Sequence, residues 1–338
     1  MPGTRLVHAP GVSCNASGPG LCKERCHIDI AARGIRQRRA AAAVRLMEQT
    51  QRVRTPDGDS EAVHVTLNRA SNGLSFARPH GRRGLIEVGQ RSWKKWMRAP
   101  SDKRTWSVKV GADLVPQSDL LGLRRGGARR FSSCAVVGGS GSLLAHACGA
   151  AIDAHEAVIR LNDAPVKGYE RWVGSRETFR VLNSPSALPD DPRKLPRPSW
   201  GTPPHGEGVT VLADATSEAQ ARIYFRQKRL EVPGKYKLRL IDHSLLRYIH
   251  ALRGQPRLRV DYPSTGLQAV VIAASLCRKV VLYGFSLHRG RRKGLHRGAC
   301  ANVYHYYDRI GWKNLLAAHN LTAELSVVRV LPRVCRSG

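Results

Sequence analysis

The chain lacks any apolar run long enough to cross a bilayer. A helical span needs roughly 18 unbroken apolar residues, and the best candidate, Ala269-Val-Val-Ile-Ala-Ala, stops at Ser275. The first thirty residues place charges and cysteines where a secretory leader has its apolar core, so no leader or signal anchor is expected. Acidic side chains are scarce, 25 against 56 lysines and arginines in 338 residues, for a formal charge of +31. That excess favours anionic partners (nucleotides, acidic glycans, nucleic acid or anionic lipid) without choosing among them. The eight cysteines, at 14, 22, 26, 134, 148, 277, 300 and 335, form no paired Cys-x-x-Cys or Cys/His pattern, which argues against a zinc site. An even count at long separations suits disulfides in an oxidising compartment, and it suits small buried thiols in a reducing one. No internal repeat is visible.

Residues 1–115 show no sustained periodicity. Gly/Pro/Ser clusters, the basic run from Arg33 to Arg45 and the stretch Trp93-Lys-Lys-Trp96 read as a basic, stem-like extension whose last part packs on the domain that follows. From Ser133 the texture changes. Apolar strand-like runs at Cys134-Ala-Val-Val, Ala157–Leu161, Phe179–Leu182, Val209–Leu212, Leu238–Ile241 and Lys279–Tyr283 alternate with helical stretches at 142–152, 216–230, 243–253 and 265–277. This alternation predicts one Rossmann-like α/β domain over 116–338, a mostly parallel sheet flanked by helices, with ligands at the carboxyl ends of its strands.

The first strand opens into Gly138-Gly-Ser-Gly141, where backbone can approach a phosphate or sugar. The loop lacks the Lys-Ser/Thr of a P-loop, and Leu144 stands where a dinucleotide fingerprint has its third glycine. More specific is the continuation Ile152-Asp-Ala-His-Glu-Ala-Val-Ile-Arg-Leu-Asn162, Ala164-Pro-Val-Lys-Gly-Tyr-Glu170 and Val173-Gly-Ser-Arg176. It is followed by Pro263-Ser-Thr-Gly-Leu267, Cys277, Val281-Leu-Tyr-Gly-Phe285, His305-Tyr-Tyr-Asp308 and His319-Asn-Leu-Thr-Ala-Glu324. In order and spacing these resemble the long, short, third and very short motifs of the eukaryotic sialyltransferases, glycosyltransferase family 29.

The resemblance implies a variant of the nucleotide-sugar transferase type A fold and inverting transfer of sialic acid from CMP-sialic acid to a glycoprotein or glycolipid glycan ending in galactose or sialic acid. His319 is then the base and His305 reaches the donor phosphate. The donor side falls on Gly138, Gly139, Ser140, Gly141, Asn162, Ser264, Thr265, Gly266, Gly284 and Phe285. Each has a plainer reading: Asn162 can tie a loop, Ser264 can cap a helix, and Asp308 can orient a neighbour or cap the next helix. No cofactor or metal is implied, since the leaving CMP is a phosphate monoester and no Asp-x-Asp pair occurs from Ser133 onward. The family pairs Cys134 with Cys277, and Cys148 with Cys335 resembles a pairing of the α2,8-linking branch. Arg160–Glu170 resembles the α2,3-linking branch. Golgi localisation is implied, with membrane association open and nucleic acid not expected as a partner. Departures are Gly139 for the usual asparagine, Trp172 for an aspartate and Ala147 for a small polar residue. Other readings are transfer of another CMP-activated acid such as Kdo, or a basic nucleotide- or nucleic-acid-binding protein without catalysis.

Overall fold

The computed structural model describes residues 24–25, 74–80, 85–91, 105–114, 131–183, 208–215, 218–231, 236–241, 263–285, 304–308, 324, 327–328 and 334–337. In chain order the strands are β1 (Glu24–Arg25), β2 (Leu74–His80), β3 (Leu85–Arg91), β4 (Thr105–Gly111), β5 (Phe131–Val137), β6 (Ala157–Leu161), β7 (Phe179–Leu182), β8 (Val209–Ala213), β9 (Tyr236–Leu240), β10 (Cys277–Tyr283) and β11 (Val334–Ser337). The helices are α1 (Gly149–Asp153), α2 (Glu170–Val173), α3 (Glu218–Arg229) and α4 (Thr265–Leu276).

Eight strands form one sheet in the order β1-β11-β10-β5-β6-β7-β8-β9. All pairings in it are parallel except that of β1 with β11. From β5 the chain steps outward through β6 to β9, then returns across the sheet to lay β10 on the other side of β5. The connections leaving β5 and β10 therefore diverge, and the crevice above their carboxyl ends is a topological switch point.

The strands are apolar on both faces because both faces are covered. Along β5, Cys134 and Val136 face one core with α4, while Ala135 and Val137 face the other with Leu143, Cys148, Ile152 and Val173. Helix α4 is correspondingly apolar nearly all round, with Leu267, Ala269 to Ala273 and Leu276 buried. A third cluster joins β8, β9 and α3 to Val108, Val110 and Leu114.

The six expected strands are observed as β5 to β10, with bounds within three residues, whereas β1 and β11 had no expected counterpart. Two differences have physical causes. The stretch 142–152 is not one helix: a 3-10 turn (Gly141–Ala145) gives way to extended His146, and α1 starts anew at Gly149. A Cβ on Gly149 would lie 2.0 Å from the carbonyl oxygen of Glu170, so only glycine lets the first residue of α1 pack this closely on the start of α2. Within 1–115, β2, β3 and β4 form an antiparallel sheet that the sequence pattern did not reveal. The expected helix at 243–253 lies outside the described residues. Among the described residues, no helix is long and apolar enough to cross a membrane.

Candidate active site

The switch point is where the glycine loop comes to rest. The Gly138 amide donates to Tyr283 O at 2.8 Å and the Ser140 amide to Gly284 O at 3.2 Å, stitching the end of β5 to the end of β10. A Cβ on Gly138 would stand 2.6 Å from Gly284 O, so only glycine permits that approach. Gly284 itself has φ +67°, a left-handed conformation that glycine adopts without strain. The Phe285 ring lies against both Gly138 and Gly266, 3.2 and 3.1 Å from where their Cβ atoms would be, and so brings the end of β10 against the start of α4. Ser140 caps the following turn, its Oγ accepting the Ser142 amide at 3.2 Å, and Gly141 is buried within that turn.

Residues 304–308 form the third wall. The Tyr306 amide donates to Gly139 O at 2.8 Å. The Tyr306 hydroxyl donates to Pro165 O, and burial pushes that hydroxyl well above its ordinary pKa, so it remains a donor. With Tyr306 so held, His305 faces the glycine loop. Its Nδ1 lies 2.6 Å from Asp308 Oδ2, and its ring stacks on Tyr307 (centroids 4.7 Å apart, 9° between planes) and tilts against Tyr304 at 4.1 Å. Asp308 therefore orients its neighbour. With Nδ1–H donating to that carboxylate, Nε2 is left to face the loop.

Asn162 ends β6 with φ 45°. Its Oδ1 accepts the Asn183 amide at 3.0 Å, which is the loop-tying arrangement. Its carbonyl and that of Ala164 accept from Arg180 Nη1 at 2.7 and 3.3 Å, while the rest of the guanidinium is paired with both oxygens of Glu177. Arg160, equally buried, donates to Arg176 O at 3.0 and 2.8 Å, and burial pulls its pKa below the ordinary value. Neither arginine was singled out in the sequence. The available signal was a basic residue inside an otherwise apolar strand, in Ile159-Arg-Leu161 and Phe179-Arg-Val181.

At the start of α4 the Ser264 hydroxyl accepts the Leu267 amide at 3.1 Å and donates to Glu324 Oε2 at 2.6 Å, while the Ser264 amide donates to Glu324 Oε1 at 2.7 Å. The hydroxyl therefore serves as a helix cap, with the buried Glu324 carboxylate complementing the positive end of the helix. Thr265 and Gly266 are the first helical residues beyond that cap. Cys134 and Cys277 are joined, Cα to Cα 6.0 Å, across the β5–β10 pair. Cys148 is also disulfide-bonded. His319 lies outside them as well, and of Cys335 only the strand backbone is described.

A doubly wound sheet with glycines, an imidazole–carboxylate pair and a capped helix converging on its switch point defines an α/β protein with a candidate ligand site at the strand ends. Residues 87–333 match the model of glycosyltransferase family 29 (sialyltransferase). The chain belongs to that family. It is 31% identical over 245 residues to the mouse CMP-N-acetylneuraminate-beta-galactosamide-alpha-2,3-sialyltransferase 1, a match covering 66% of this chain and 63% of that protein. It is 30% identical over 226 residues to the sialyltransferase-like protein 1 of Oryza sativa subsp. japonica, covering 60% of this chain and 52% of that protein. The rat CMP-N-acetylneuraminate-beta-galactosamide-alpha-2,3-sialyltransferase 2 is 29% identical over 209 residues, 60% of this chain and 55% of that protein. The chain thus spans between about half and two thirds of the length of these relatives. Among solved structures, a mammalian sialyltransferase in complex with Gal-beta-1-3GalNAc-ortho-nitrophenol superposes with a TM-score of 0.45 at 23% identity, covering 66% of this chain and 74% of that one.

Proposed function

We propose that this chain is an inverting sialyltransferase, moving sialic acid from CMP-sialic acid to the terminal sugar of a glycoprotein or glycolipid glycan. The observation that carries this is His305, fixed by Asp308 over the glycine loop at the switch point, in a chain of family 29. The acceptor hydroxyl attacks the anomeric carbon, the bond from that carbon to the CMP phosphate breaks, and His319 takes the hydroxyl proton. The departing phosphate monoester gains charge, which His305 in its imidazolium form, donating through Nε2–H, and the Gly139, Gly141, Thr265 and Gly266 amides are suited to meet. That chemistry requires no divalent metal.

The two α2,3-named relatives support an α2,3 linkage to galactose. Family membership supports a Golgi setting. Cys148 pairs with Cys335 on this reading: Cys335 occupies the register position beside Val281, whose side chain packs with Cys148.

Incubation with CMP-sialic acid, CMP-Kdo and mixed glycan acceptors tests the proposal. Release of CMP from the sialic acid donor is expected, unaffected by EDTA. His319→Ala is expected to keep CMP binding and lose about 10²- to 10⁴-fold in transfer. Transfer at close to the native rate by that variant would refute the assignment of the base, and CMP release from CMP-Kdo alone would refute the donor.

A further inference from the structure

Gly139 is the position at which this chain departs from the asparagine usual in the resembling motif, and its surroundings are specific. A Cβ built there would lie 2.8 Å from His305 Cδ2 and 3.5 Å from Nε2. A contact at 2.8 Å is closer than side chains tolerate, so one of the two groups must move. The glycine cannot withdraw, because its carbonyl is held by the Tyr306 amide at 2.8 Å and the Gly138 amide before it is held by Tyr283 O. Nor is the imidazole the loose end of a flexible chain. Asp308 holds Nδ1, Tyr307 and Tyr304 lie against the ring, and the backbone beside it is anchored through the buried Tyr306.

We infer that Gly139 is a positioning residue: the missing side chain is the seat of the His305 imidazole, and a side chain at 139 and the observed His305 geometry exclude one another. The inference rests on the proposed function in one respect, that the ligand whose phosphate Nε2 meets is CMP or its sugar conjugate. The polar group that the cleft presents beside the glycine loop is then the ring nitrogen of His305, supplied from the third wall rather than from the loop itself. Replacing Gly139 by asparagine does not simply add a polar group to the site; it displaces the imidazole already there.

The test is a double-mutant cycle on CMP binding by titration calorimetry, with Gly139→Ala, His305→Ala and the double variant, each checked by thermal unfolding. Gly139→Ala is expected to weaken CMP binding about 10- to 100-fold, the range for losing a hydrogen bond to a charged group. In the His305→Ala background the same substitution is expected to cost nothing further, because the space it needs has been vacated. Damage to the loop alone would cost as much in either background, so additive losses would overturn the inference. Should Gly139→Ala fail to fold, a folded double variant that binds like His305→Ala supports the mutual exclusion, and an unfolded double variant refutes it. Unaltered protein that binds no CMP would overturn the function proposed above and this inference with it, whereas CMP binding with an additive cycle would overturn this inference alone.

Discussion

Replacing Glu324 by alanine should unlatch the last sequence motif from the start of α4. The carboxylate is buried and accepts two bonds from one residue, the amide and hydroxyl of Ser264 at 2.7 and 2.6 Å. Hydrogen bonds to a charged group contribute about 1.5 to 3 kcal/mol each, and alanine also strands the Ser264 amide at a site water reaches poorly, so a loss of about 3 to 5 kcal/mol is expected. Against a total stability of about 5 to 15 kcal/mol, that is a large fraction. Glu324→Gln keeps an acceptor for the amide but turns an NH2 group toward the Ser264 hydroxyl, which already accepts from Leu267. Its cost should be smaller, about 1 to 1.5 kcal/mol. Urea unfolding of both variants, of Ser264→Ala and of the Ser264→Ala/Glu324→Ala pair measures the coupling, expected at about 2 kcal/mol within the range for residues sharing one network. A Glu324→Ala change within about 0.5 kcal/mol of the native protein, the span of ordinary surface substitutions, would refute the latch.

Arg180→Met should cost about 3 to 5 kcal/mol in urea unfolding, because it leaves the nearly buried Glu177 carboxylate unpaired and the carbonyls of Asn162 and Ala164 without their donor. Arg180→Met/Glu177→Leu should recover much of that loss, and an equally unstable double variant would show that the pair is not the cause. Replacing Cys134 and Cys277 together by alanine should lower stability by up to about 4 to 5 kcal/mol, the chain-entropy figure for a loop closed across 143 residues, measured against the oxidised native protein.

The strands were legible because a sheet covered on both faces writes itself as unbroken apolar runs, and Ala157–Leu161 and Phe179–Leu182 match their expected bounds. The glycine loop was legible as a place of close backbone approach, and Gly138 against Gly284 O is such an approach. What escaped were groups whose roles depend on a distant partner. Ser264 reads equally as ligand or cap until Glu324, sixty positions on, is placed beside it. Arg180 reads as a surface charge until Glu177 and the Asn162 turn enclose it. The antiparallel strands β2 to β4 were hidden by the surrounding Gly/Pro/Ser-rich sequence, although Val108 and Val110 keep the alternation of a half-buried strand. The break in 142–152 falls at extended His146, which no residue type there announces.

The bond between Cys134 and Cys277 spans 143 residues. At about 5 to 20 residues per second, the ribosome needs on the order of 7 to 30 s to deliver the second cysteine after the first. Throughout that interval Cys134 is a thiol without its mate, and Cys148 emerges long before Cys277. An oxidant acting in that interval would meet Cys148 as the nearer partner, and any such bond would have to exchange before Cys134 could join Cys277. The crevice between β5 and β10 is therefore closed only after the four strands β6 to β9 have been made.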